Sequence, residues 1–151
     1  MVLTRTLIDE HPELDDASRQ LARSSLRWYL WEAGELEIAL AEARAVIDDE
    51  ATPQRWRANA LGHAAALLLY LGRTDEAATP AEAARDLAAE VGAAEERVLA
   101  EGLLGWCRLL EGKVDDGLDG IRRAVAGAQE AQGGALEGRY PVGSALAHSQ
   151  L

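Results

Sequence analysis

The stretch that decides the fold is Leu61–Gly92, LGHAAALLLYLGRTDEAATPAEAARDLAAEVG. Leu61, Ala64, Ala65, Leu68 and Leu71 recur at the spacing of one helical face. Leu67, Leu69 and Tyr70 fill a second face, so this helix is wet on a narrow strip and belongs between neighbours. Gly72 suits the left-handed residue that ends a helix. After the turn Gly72-Arg73-Thr74, Ala77, Ala81, Ala84 and Ala88 repeat at helical spacing, and side chains this small let a second helix approach the first closely. The stretch reads as a helical hairpin, and the rest of the chain reads as further copies of it.

Working outward, Val2–Glu10 predicts a short helix with Leu3, Leu7 and Ile8, ended by Pro12. Asp15 or Asp16 offers an N-cap for a helix over Ala17–Ala33, which Gly34 stops. Glu35–Asp49 is amphipathic through Leu36, Ala39, Leu40, Ala43, Val46 and Ile47. Thr52-Pro53 predicts a restart, with Thr as N-cap and Pro in the first turn of a helix running to Leu71. Pro80 predicts an interruption, because it lacks an N–H and clashes with the preceding turn. The expectation is a short turn over Asp75–Ala78, a break or kink, then Pro80–Val91 capped by Thr79 and closed by Gly92. Ala94–Glu111 follows, apolar on most sides, and Gly112 ends it. Val114, Leu118, Ile121, Val125 and Ala128 mark a helix that ends before Gly133-Gly134, and Tyr140–Leu151 predicts another.

Composition agrees with helices. Phe is absent, and Ala and Leu dominate. The 151 residues suffice for one packed domain. A net charge of −11 with no basic cluster argues against direct nucleic-acid binding. The single cysteine, Cys107, excludes an internal disulfide framework and suits a reducing cytoplasm. The longest apolar run, Ala64–Leu71, is too short to span a bilayer, so no membrane partner is expected, and the N-terminal residues carry no signal-peptide core.

The turn glycines Gly34, Gly72 and Gly112 are spaced 38 and 40 residues apart (34 to 72, 72 to 112), and each ends a tryptophan- or tyrosine-bearing helix and opens an alanine-rich one. Two helices per period of this size is the signature of a helical solenoid. Gly72…Asp75-Glu76-Ala77 and Leu104-Gly105…Gly112…Asp115-Asp116-Gly117 resemble the tetratricopeptide repeat (TPR) family. Gly34…Ala39 matches the turn, but Arg27 stands where the family has a small residue. The resemblance covers Leu21–Gln132 and implies an all-α, right-handed α-α superhelix of about three helix hairpins, with no strand. The repeats fall at about 17–49, 53–91 and 94–132, with partial helices at 2–10 and 140–151. The composition is similar to the repeats of large bacterial ATP-dependent LuxR-type transcription regulators. Neither the phosphate-binding loop nor the basic recognition helix of those proteins is in this sequence.

In the family the first helix of each pair lines a concave groove. Counting six, three and two residues back from each turn Gly selects Trp28, Trp31 and Glu32, then Ala66, Leu69 and Tyr70, then Trp106, Leu109 and Leu110. Asn59, nearer the start of the middle helix, is grouped with them. Aromatics at such positions are interface anchors, although a single tryptophan more often fills the seam between repeats.

Catalytic chemistry is not expected. His11, His63 and His148 lie far apart, Asp48-Asp49-Glu50 and Asp115-Asp116 sit at helix ends, and Cys107 reads as buried and inert. No enzyme, metal site or cofactor is expected. Two functions stay open: a scaffold for a protein or peptide partner whose basic residues meet an acidic rim, and a sensor enclosing an apolar small molecule. Val2–Glu10 and Tyr140–Leu151 read as halves of missing repeats, with a complete chain capped by its last helix as the alternative. On the first reading the chain forms a homodimer through a terminal helix, weakened by a charge at Leu7 or Leu146.

Overall fold

The computed structural model describes residues 14–132. The helices expected at Val2–Glu10 and Tyr140–Leu151, with Leu7 and Leu146, lie outside the described residues. Six helices follow in order: α1 (Asp16–Glu32), α2 (Leu36–Asp48), α3 (Gln54–Tyr70), α4 (Thr74–Glu90), α5 (Ala94–Leu110) and α6 (Val114–Gln132). Among the described residues there is no strand. Every helix packs on the next, and α3 also touches both α1 and α5. The odd helices therefore touch one another in the order α1, α3, α5.

The turns are alike because their chemistry is alike. After α3, the Gly72 N–H donates to Leu69 O at 3.0 Å and the Arg73 N–H to Leu68 O at 2.8 Å. This pair of bonds satisfies carbonyls at the end of the helix and needs a left-handed residue, which Gly72 supplies at φ 73°. The same two bonds close α1 at Gly34, α4 at Gly92 and α5 at Gly112. At the start of α1, the Asp15 carboxylate accepts from the Ser18 N–H at 2.7 Å. That hydrogen bond, with the Ser18 hydroxyl behind it, holds the Asp15 carboxyl below its usual range.

Two local expectations are corrected. The break at Pro80 does not occur: Thr74–Glu90 is one helix with Pro80 inside it. Ala77, Ala81, Ala84 and Ala88 lie on both sides of the proline and are all buried, so packing against α3 and α5 carries the helix past the missing hydrogen bond. At Thr52-Pro53 the capping residue is Pro53, the helix begins at Gln54, and no side chain caps it. Thr52 is buried instead, its hydroxyl without a hydrogen-bond partner.

The core has two main parts. Leu26 and Leu30 of α1, Leu40 of α2 and Leu67 and Leu68 of α3 form the first, which reaches Ala77 and Cys107. Ala65 and Ala66 of α3, Ala81 of α4, and Leu99, Leu103 and Leu104 of α5 form the second. Leu68 and Leu104 are buried as their all-round apolar helices predict. Between α5 and α6 the backbones nearly touch. A Cβ on Gly117 would lie 2.6 Å from Leu109 Cγ and 2.8 Å from the Gly105 carbonyl oxygen, which explains glycine where the middle hairpin has Ala77.

Candidate functional site

The expected groove residues fall into three groups. Trp28, Glu32, Tyr70 and Leu110 are exposed. Trp31, Leu69, Trp106 and Leu109 are half-buried. Ala66 and Asn59 are buried, so neither presents a surface to a partner.

Three of the four expected aromatic rings come together at the junction of α1 and α3. Trp28 and Trp31 have ring centroids 5.8 Å apart, tilted by 49°. Trp31 meets Tyr70 edge-on, at 4.7 Å and 72°. These are favoured aromatic geometries, in which the electropositive edge of one ring meets the electron-rich face of the other. Trp31 also packs with Leu69 against both parts of the core, which fixes its ring from below. The result is a ladder anchored at Trp31, with Trp28 and Tyr70 open to solvent on either side. Trp106 has no ring contact among the described residues and stands apart on α5.

The edge carrying the Gly34, Gly72 and Gly112 turns is acidic. Glu32, Glu35, Asp75, Glu76, Glu111, Asp115 and Asp116 are all exposed there. Arg73 binds Glu76 with two hydrogen bonds, 2.7 Å from Nε and 2.6 Å from Nη2, and lies 3.6 Å from Glu37 of α2. Lys113 pairs with Glu111 at 2.8 Å. The nearby cations are thus largely engaged, and the remaining carboxylates give the edge its charge.

Sequence reasoning missed a buried polar cluster between the same two helices, α1 and α3. Arg27 is only 1% exposed. Its Nη2 donates to Asn59 Oδ1 at 2.9 Å and its Nε to His63 Nδ1 at 3.5 Å. Ser24 Oγ donates to the same Asn59 oxygen at 3.5 Å. Burial, and next Arg27, push His63 down to about 3, so its ring is neutral and can accept at Nδ1. Burial also lowers Arg27 to about 10, with Arg23 adding to the effect and Glu42 opposing it, so Arg27 stays cationic at neutral pH. Its Nη1 is buried without a hydrogen-bond partner. The available signal was Arg27 itself, a long cation at a position where the repeat pattern has a small residue.

No three His, Cys, Asp or Glu residues among the described residues lie close enough to hold a metal ion. Burial pushes the Cys107 thiol up, away from reactivity. No helix among the described residues is long and apolar enough to cross a membrane. No protein-family model, curated protein or solved structure matches the chain.

Proposed function

We propose that this protein is a TPR-like interaction scaffold whose odd helices line the inner face of a right-handed superhelix. A partner peptide lies across the Trp28–Trp31–Tyr70 ladder, with an apolar side chain on the rings and basic residues over the acidic turn edge. The observation that carries this reading is the ladder itself. Its central ring is fixed by the core, while Tyr70 remains 54% exposed and Trp28 36% exposed, an arrangement of rigid anchors facing water. Exposed Glu32 beside the rings favours an open, charged surface over an enclosed pocket for an apolar effector. The sequence resemblance to the repeats of LuxR-type regulators supports reading such a scaffold as part of a transcriptional assembly, with DNA contacts made by another part of it.

Panning a random peptide library against the protein tests the reading. Enriched peptides should combine an aromatic or large aliphatic residue with Lys or Arg, and should lose binding at least tenfold to Tyr70→Ala and to Glu32→Lys. Both positions are exposed, so neither change should unfold the chain. Peptides that bind these variants as well as the unaltered protein would overturn it.

A further inference from the structure

The aromatic ladder carries a carboxylate as well as rings. Trp28 and Glu32 stand four residues apart on α1, one helical turn along the same face, and both are exposed. Among the described residues neither the Glu32 nor the Glu35 carboxylate makes a hydrogen bond or an ion pair, and no arginine or lysine stacks on Trp28, Trp31 or Tyr70. Elsewhere on the turn edge Arg73 holds Glu76 and Lys113 holds Glu111. The pairing of ring and carboxylate occurs once. On α3, Ala66 takes the place of Trp28; on α5, Trp106 keeps the ring, but Leu110 takes the place of Glu32 and Arg108 adjoins it.

The pair lies at the edge where α1 and α3 end. The described chain enters at the start of α1 and leaves at the end of α6, both at the far end of the hairpins, a helix length of 17 residues in α1 or about 25 Å away.

The rings also distinguish one cation from another. Trp31 meets Tyr70 edge-on at 4.7 Å and stands tilted against Trp28 at 5.8 Å, so the rings contact one another and enclose no box for a rounded ammonium group. A flat cation can lie on the exposed part of Trp28 and still reach the carboxylate one turn away. Guanidinium is flat, weakly hydrated, stacks on aromatic faces and meets a carboxylate with a two-pronged fork, whereas the lysine ammonium is a compact, strongly hydrated point charge.

We propose that Trp28 and Glu32 form a seat for an arginine side chain of the partner, its guanidinium flat on the Trp28 ring and its fork on the Glu32 carboxylate. The seat rests on the scaffold reading and sharpens it: the apolar anchor of the partner takes Trp31 and Tyr70, and the basic residue beside that anchor is arginine rather than lysine.

Calorimetric titration of the full chain with three blocked hexapeptides tests this. In them leucine alternates with arginine, with lysine, or with citrulline, which keeps the shape of arginine without its charge. The arginine peptide should bind about fivefold tighter than the lysine peptide, and the citrulline peptide should also fall below the arginine one. Glu32→Gln and Trp28→Leu should each abolish the preference for arginine over lysine, while Glu90→Gln, which removes the same charge at the far end of α4, should keep it. Glu32 is exposed, so Glu32→Gln carries the test even if Trp28→Leu loses its helical circular dichroism. Equal binding of the arginine and lysine peptides, with both weakened by Tyr70→Ala, would overturn the arginine seat and leave the scaffold reading standing. A preference that survives Glu32→Gln, or that Glu90→Gln abolishes as fully, would overturn the seat as well. Binding by none of the three peptides would overturn the seat and the scaffold reading together.

Discussion

Two seams hold the odd helices side by side, and they are built from opposite materials. Between α3 and α5 the seam is mostly apolar: Ala65 and Ala66 meet Leu99, Leu103 and Leu104, a Cβ added to Gly62 would touch Leu99 at 3.4 Å, and one ion pair, Arg55 to the buried Glu96 at 3.4 Å, lies at its end. Between α1 and α3 it carries a polar cluster, with Arg27, Asn59, His63 and Ser24 bonded together. The apolar seam is stabilised by burial, which tolerates any shape that fills space. The polar seam contributes little net stability, because a buried cation gives up its hydration and Arg27 Nη1 finds no acceptor in return. Its bonds are directional, however, and they fix how α1 sits on α3. That contact sets the spacing of Trp31 and Tyr70, one ring from each helix.

The largest effects should come from the apolar seam. Leu104→Ala, or Leu68→Ala in the neighbouring core, should cost roughly 2–5 kcal/mol in denaturant unfolding. A loss below about half a kcal/mol would mean these helices are not internal. Gly117→Ala should cost about 1–3 kcal/mol by forcing α5 and α6 apart.

The polar seam should break more gently and in a way that depends on its partners. Asn59→Ala removes the closest acceptor of a buried charge and should cost about 1.5–3 kcal/mol. Replacing Arg27, Asn59 and His63 together by Met, Leu and Leu should recover that loss, since an apolar filling carries no desolvation penalty. If the triple variant is less stable than Asn59→Ala, the seam is a net source of stability and the contrast drawn above fails.

Acid sharpens the comparison further. His63 has a folded value near 3 against an ordinary 6.5, so the unfolded chain binds its proton first as pH falls. Stability from neutral His63 is complete above pH 6.5 and is lost as pH drops toward 3, at up to about 1.4 kcal/mol per pH unit. His63→Leu should flatten the pH dependence between 6.5 and 5, where most carboxylates are still ionised. An unchanged slope would show that His63 is accessible to protons in the folded state. The smallest effect should be that of Arg73→Ala, which removes exposed ion pairs to Glu37 and Glu76 and should leave the unfolding midpoint nearly where it was.

Much of the fold is legible in the sequence because it is set locally. Helix ends at Gly34, Gly72, Gly92 and Gly112 need only a left-handed residue and its immediate neighbours, and the alanine face of α4 needs only helical spacing. The candidate site is legible in part: the register selects Trp28, Trp31 and Tyr70, whose rings meet, but it also selects Ala66, which is buried, as is Asn59 grouped with them. What tertiary structure alone decides is everything that depends on the facing helix. Pro80 stays within a continuous α4, with buried alanines on both sides of it, and such packing is a force no local rule contains. Trp31 meets Tyr70 while Trp106 stands apart, because ring contact depends on which helices lie side by side. Arg27 and His63 become a buried pair because α1 and α3 bring together residues 36 positions apart, and only that contact determines whether a charge is wet or dry.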